Sequence, residues 1–274
     1  MRIDVLGPIQ VAANGQTVRL AGQRQRALLA ALTLELGKVV PVERLVDILW
    51  DAEPPATARV KVQAHVSALR QAIGHDTAVA GGPLLTRPPG YMLCGDGIEL
   101  DLAEFDVLTA QAKEASESRQ PGVAAELFGA ALRLWRGSAF ADVRSPVIRS
   151  AADSLEGRRL LVWEAKADAD LGLGRNERVV ADLPTLLTAY PFRERARAML
   201  MLALYRLGCR ADALSVYRDG HRLMVAELGL EPGPRLRALH QHILADDPRL
   251  LAADGASLGV AHTGGEQPAA RLPG

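Results

Sequence analysis

The stretch VKVQAHVSALRQAI, Val60 to Ile73, decides how the first third of the chain folds. At about 100° per residue, Val66, Leu69 and Ile73 fall within about 40° of Val62, which makes a narrow apolar seam suited to burial on a helix. Lys61, Gln63, His65, Ser67, Arg70 and Gln71 occupy the rest of the circumference, with Val60, Ala64 and Ala68 near the centre of the outer face. A merely solvated face and a face that docks on a ligand both fit this pattern. The flanking segments are needed to separate them.

Upstream, Pro54 and Pro55 cannot continue a helix, so this one begins near Thr57 and runs to Gly74. PVERLVDILW precedes the proline loop as a short helix with Pro41 in its first turn, Leu45, Ile48 and Leu49 facing inward and Trp50 at its end. Before it, GQRQRALLAALTLEL spaces Leu28, Leu29, Leu32 and Leu36 as a helix does, with Gly37 as the expected C-cap. RIDVLG, IQVAA and QTVRL are short and β-branched, divided by Gly7-Pro8 and Asn14-Gly15, and read as antiparallel strands. Downstream, PLLTRPPGYMLCG reads as a hairpin in which Pro88 and Pro89 fix the bend and Gly90 supplies a positive φ. Strands, three helices and a hairpin make a winged helix-turn-helix over residues 1–95.

From Asp101 onward helix follows helix, from DLAEFDVLTAQAKEASES to PRLRALHQHILADD, with no strand pattern between them. Leu171-Gly172 followed by Arg175 recurs as Leu207-Gly208 followed by Arg210, an offset of 36 at the glycines and 35 at the arginines. Such a period belongs to tetratricopeptide-like repeats. Ala211 and Ala213 are expected to let paired helices approach, and Tyr190-Pro191 to end one pair. The fold class is therefore mainly α: an N-terminal winged helix-turn-helix with a small β-sheet and a C-terminal wing hairpin, then an all-α tetratricopeptide-like domain over 101–248. Residues 252–274 are small, polar and rich in Gly and Pro, and are expected to be a disordered tail.

The 274 residues, 49% of them hydrophobic, suffice for about two domains. No run approaches the roughly 18 to 20 apolar residues of a membrane span, and the N-terminus lacks a signal-peptide pattern, so a cytoplasmic, nucleoid-associated protein with no membrane partner is expected. Cys94 and Cys209 stand far apart, without metal-ligand spacing. Net charge is zero overall, but residues 1–95 carry +3 and the remainder −3. This bias gains meaning from the shape that bears it.

An α-helix fits the major groove, and a helix-turn-helix presents its third helix there while neighbouring parts grip phosphates. Gln23, Arg24 and Arg26 open the first long helix, where N–H groups and cations together suit a phosphate. Arg87 stands at the hairpin turn, from which a wing reaches a minor groove. Because Val60, Ala64 and Ala68 cannot make bidentate base contacts, thymine-methyl contact or shape reading has to supply part of any specificity.

VKVQAHVSALRQAI followed by PPGYML resembles the third helix and wing of the OmpR-type DNA-binding domain, and LLAALTLELGKVVPVERLVDILW resembles its two preceding helices. DLAEFDVL, ALRLWRGSAFADV, LMLALYRLGCRADALSVYR and AELGLEPGPRLRALHQHIL are similar to the bacterial transcriptional activator domain. In this order, over roughly residues 1 to 250, the two resemble the antibiotic regulatory protein family of actinomycete activators. The resemblance implies dimers or multimers on direct heptameric repeats near a promoter's −35 element. It also implies contact with RNA polymerase holoenzyme, through sigma factor and the C-terminal domain of the alpha subunit, to activate a secondary-metabolite cluster. It places DNA contacts at Thr57, Arg59, Lys61, Gln63, Ala64, His65, Ser67, Ala68 and Arg70, backbone contacts at Arg24 and Arg26, and the wing at Arg87 and Tyr91. Asp51, Ala52, Glu53, Pro54, Pro55 and Ala56 take the position of the loop that faces sigma factor. At Ala64, Ser67 and Ala68 relatives often carry larger or basic side chains, so the resemblance carries over the docking of the helix but not the exact base contacts.

Longer members of the family append an ATPase with a GxxxxGK[ST] loop, a motif these residues do not contain. Gly172-Leu173-Gly174 lies between helices without a preceding strand and reads as a turn. His240 and His242, two apart on a helix, face different ways. Cys209 has His221 twelve residues on, but no third orienting group. The carboxylates read as solvated charge on helix faces. Neither enzyme chemistry nor a cofactor or metal is expected. Two classes stay open: a DNA-binding activator, and an adaptor whose repeats bind a peptide or small ligand while the winged helix makes protein contacts.

Overall fold

The computed structural model describes residues 1–13, 15–51, 53–74 and 82–252. Asn14 of the Asn14-Gly15 turn, Ala52 of the proline loop and the tail from 253 lie outside the described residues. By compactness the chain divides within one long helix, into Met1–Lys166 and a second unit starting at Ala167.

The first unit begins with β1 (Arg2–Asp4), β2 (Gln10–Ala13) and β3 (Gln16–Thr17), then α1 (Gly22–Leu34), β4 (Val40–Pro41), α2 (Val42–Trp50) and α3 (Ala58–Ile73). The wing hairpin β5 (Leu84–Arg87) and β6 (Gly90–Leu93) follows, and then β7 (Glu99–Leu100). β1 lies between β2, antiparallel with Ile3 opposite Val11, and β7, parallel with Ile3 opposite Leu100. No sequence pattern marks β7, because two residues are too few to show a period.

Two helix ends differ from expectation. α1 stops at Leu34 with Glu35 as its C-cap, and Gly37 lies beyond, at φ 76°, where its N–H donates to Leu93 O at 2.9 Å. Pro41 is the N-cap of α2, not a residue of its first turn, because Val40 and Pro41 pair with β6 first. Gly90 is required for space and not for a positive φ: a β-carbon there would lie 1.9 Å from Val40 O, across the β4–β6 pair.

Three further helices belong wholly or partly to this unit: α4 (Asp101–Glu117), α5 (Pro121–Arg133) and α6 (Pro146–Gly172). Ile3, Leu28, Leu32, Leu45, Leu69, Leu93 and Phe105 are fully buried in one core that continues into α4, α5 and the first part of α6. Asp101 is a correction to the reading of solvated carboxylates. It is 1% exposed and accepts from Val5 N–H at 2.8 and 2.9 Å and from Leu6 N–H at 2.9 Å. The loop after α5 is stitched to the same end of β1, with Arg136 N–H donating to Leu6 O at 2.8 Å and Phe140 N–H to Val5 O at 2.9 Å.

In the second unit α7 (Asn176–Ala189), α8 (Glu194–Arg206), α9 (Arg210–Leu228) and α10 (Pro234–Leu244) succeed one another, with a final 3-10 turn at Pro248–Leu251. The repeat alignment shifts by two residues at its first glycine. Gly174 (φ 71°) and Gly208 (φ 78°) hold equivalent left-handed turns, each donating its N–H three residues back, to Leu171 O and Tyr205 O. Gly174 to Gly208 is the tetratricopeptide spacing of about 34 residues. Ala213 is fully buried, as the approach of paired helices requires, whereas Ala211 is exposed. Gly220 lets α9 close on the buried Arg197 of α8, whose guanidinium donates to Val216 O at 3.0 Å and Pro191 O at 2.8 Å.

Candidate nucleic-acid interface

The apolar seam of α3 is buried throughout: Val62 0%, Val66 1%, Leu69 0% and Ile73 3% exposed. At roughly 1.5–3 kcal/mol per buried aliphatic side chain, this seam fixes the rotation of the helix about its axis. The opposite side is thereby held outward. Thr57, Arg59, Val60, Lys61, Gln63, Ala64, Ser67 and Ala68 are exposed, and His65 and Arg70 are half-buried. Arg59 pairs with Glu43 of α2 at 2.8 Å, both well exposed, a contact a nearby phosphate can replace at small cost.

Arg70 turns away from this face toward the wing. Its Nε donates to Leu84 O at 2.9 Å and its Nη2 to Thr86 Oγ1 at 2.8 Å, with the guanidinium 5.9 Å from the centre of the Tyr91 ring. The structure places Tyr91 in the core at 7% exposure, opposite Val40, because the β4–β6 pairing turns it inward. These two residues therefore hold the hairpin against α3 and leave Arg87 and Thr86 exposed at its tip.

At the start of α1 the three residues expected together have different surroundings. Arg24 is exposed, with its guanidinium 5.4 Å from the centre of the Trp50 ring. Arg26 pairs through Nε with Asp142 Oδ2 at 2.9 Å, and Gln23 donates from Nε2 to Asp142 O at 2.8 Å. Asp142 also accepts from Ile9 N–H at 2.9 Å. His65 lies 6.1 Å from Trp50, ring centre to ring centre. Burial first, then Arg24 and Lys61, holds its imidazole below the ordinary value of 6.5, so it is neutral near pH 7. Gln23, Arg24, Trp50 and His65 line a cleft of about 730 Å³ together with Arg144 and Ser145. Trp50, Asp142 and Arg144 escaped the sequence reading as site residues, since no local period links 142–144 to the start of α1.

Asp51 (φ 54°) ends α2, with its N–H bonded to Asp47 O, and Glu53, Pro54 and Ala56 are exposed beyond it. Elsewhere, His240 stacks on Tyr217 with ring centres 3.8 Å apart, His242 lies 3.4 Å from Asp247, and His221 pairs with Glu231 at 2.9 Å. Each of these three histidines thus has its own partner. No group of three His, Cys, Asp or Glu among the described residues could hold a metal, and no helix among them is long and apolar enough to cross a membrane.

Comparison with known proteins adds the family context. The bacterial transcriptional activator domain matches residues 100–244, and the C-terminal domain of transcriptional regulatory proteins matches residues 15–93. Regulatory protein AfsR of Streptomyces coelicolor is 38% identical over 259 residues, covering 94% of this chain and 25% of AfsR, so the chain spans about a quarter of that relative. Regulatory protein DnrI of Streptomyces peucetius is 35% identical over 279 residues, 98% of each chain. The solved structure of Mycobacterium tuberculosis EmbR in complex with a low affinity phosphopeptide superimposes with a TM-score of 0.84 at 33% identity. That match covers 93% of this chain and 67% of that one.

Proposed function

The chain belongs to the antibiotic regulatory protein family of actinomycete transcriptional regulators, and from that premise we propose that it activates transcription by laying α3 in the major groove of promoter DNA. The observation that carries this reading is the sidedness of α3: a fully buried apolar seam backs an exposed, largely polar face. Lys61, Gln63 and Ser67 offer hydrogen bonds to base edges, while Ala64 and Ala68 suit thymine methyls. Arg24 and Arg87 neutralise phosphates on either side, and Arg70 with Tyr91 fixes the wing. On this reading residues 1–95 bind DNA and residues 101–248 assemble protomers, as a dimer or multimer on direct repeats near a −35 element. The loop Asp51–Ala56 then faces sigma factor. Recruitment of polymerase holoenzyme, including the C-terminal domain of its alpha subunit, switches on a secondary-metabolite cluster in the cytoplasm.

The test is a mobility shift of the full chain on duplexes that it selects from a random-sequence pool, repeated over a salt series. Affinity should fall steeply, with log K against log salt losing about 0.9 per phosphate neutralised. Arg24→Ala and Arg87→Ala should weaken binding to every sequence alike. Gln63→Ala should instead relax preference at one position by about 1–3 kcal/mol. No retained duplex at low salt ends the proposal and leaves the adaptor reading. A uniform loss from all three substitutions would show the division between reading and gripping to be wrong.

A further inference from the structure

Residues 142–144 are fastened to the first turn of α1 by three contacts. Arg26 pairs with Asp142 Oδ2 at 2.9 Å, Gln23 Nε2 donates to Asp142 O at 2.8 Å, and Arg144 N–H donates to Gln23 Oε1 at 3.1 Å. The result is an exchange of cations. Arg26, which the sequence offers to a phosphate, is neutralised by Asp142, while Arg144 is brought to the same turn from a segment outside the winged helix. Its side chain is exposed and pairs with no carboxylate among the described residues.

Arg144 lines the cleft of about 730 Å³ together with Gln23, Arg24, Trp50, His65 and Ser145. Ser145 is 8% exposed, and its hydroxyl has no hydrogen-bond partner among the described residues. Asp51 and Glu53 also border the cleft and repel anions, so a phosphate there has to be held by the cations of the lining, Arg24 and Arg144. His65 belongs to α3, so the cleft adjoins the outer face of that helix. A duplex that accepts α3 in its major groove presents a row of phosphates at the groove's edge.

We propose that Arg144 grips a phosphate of the promoter DNA backbone beside α3, so that the segment following the winged helix contributes to DNA binding directly. This inference rests on the function proposed above. A guanidinium matches phosphate oxygens in a bidentate fork. Its main chain is already held by Gln23, so less freedom is lost on binding.

The experiment uses the full chain and duplexes selected by the wild type, with affinity measured by fluorescence anisotropy over a salt series. Because the bond to Gln23 comes from the main chain, substituting the side chain keeps it. Arg144→Ala should make the slope of log K against log salt shallower by about 0.9, an approximately eightfold loss at about 0.1 M salt, for every sequence alike. Arg144→Lys should recover the slope, and Arg144→Glu should reduce affinity beyond Arg144→Ala. Wild-type binding with a slope unmoved by Arg144→Ala and Arg144→Glu overturns this contact alone. A changed sequence preference also overturns it, since a phosphate contact carries none. A wild type that binds no duplex at low salt removes the proposed function, and the contact with it.

Discussion

Replacing Asp101 by alanine should loosen the first unit at the point where its N-terminal strand meets α4. The carboxylate serves two backbone donors, Val5 N–H at 2.8 and 2.9 Å and Leu6 N–H at 2.9 Å, both in residues with no exposed surface. Truncation strands two buried donors, each at about 1–3 kcal/mol. Part of that loss is offset, because burial raises the Asp101 pKa against the opposing pull of the two N–H bonds, which marks the buried charge itself as costly. The net expectation is a loss of about 2–4 kcal/mol, a large share of the roughly 5–15 kcal/mol that holds a domain folded. Asp101→Asn keeps one acceptor but turns an NH₂ toward Val5 N–H, so it should fall between. Urea denaturation followed by circular dichroism and tryptophan fluorescence measures the difference. Trp135, edge-on to Phe105 with ring centres 5.5 Å apart, sits in the same core and reports on it. A change within about 0.5 kcal/mol, the range of ordinary surface substitutions, would refute the reasoning and mean that water or a backbone shift satisfies Val5 and Leu6.

Two further outcomes are expected. Gly90→Ala forces a β-carbon into the carbonyl of Val40, a clash that only a backbone shift can relieve. It should part β4 from β6 at a cost of about 3 kcal/mol or more, exceeding usual core overpacking, and a thermal melt equal to wild type would contradict this. His65 has its folded pKa held below 6.5 by burial, Arg24 and Lys61, so its contribution to stability is present above that value and lost as pH falls below it. Phosphates beside α3 would raise it again. Binding should therefore take up a proton, and affinity for duplex should increase as pH falls into the range where His65 protonates, more for the wild type than for His65→Gln. Equal pH dependence of the two proteins in anisotropy titrations would place His65 away from the DNA.

How much of this molecule is legible in its sequence depends on how far apart the interacting residues lie. α3 is legible because its seam recurs every three or four residues and a proline pair marks where it cannot extend. The wing is legible from its prolines. Glycines are harder, since the residue type says that something is required but not what: Gly90 supplies room beside Val40 O, and Gly37 a left-handed turn past the end of α1. At the repeat turn the sequence offers both Gly172 and Gly174. The backbone uses Gly174, the position whose N–H reaches Leu171 O as the helix closes.

The candidate interface shows where local reading has to stop. Arg24, Arg26 and Arg87 are alike as letters, and a count of charges treats them alike. What separates them is the tertiary partner of each: Trp50 under Arg24, Asp142 on Arg26, and the exposed tip of the hairpin for Arg87. Asp142 stands 119 residues after Gln23, and no helical or strand period spans that distance. The same holds for Asp101, an acidic residue in the first turn of a helix that looks like a favourable partner for the helix dipole. Its main partners are N–H groups 95 and 96 residues away. Sequence therefore identifies which elements exist and which side of α3 faces out, because both follow from short-range spacing. Which cation is left unpaired is decided by the packing of distant segments, and a substitution at Asp142 that released Arg26 would, under the proposed function, alter the charge offered to DNA without touching the winged helix.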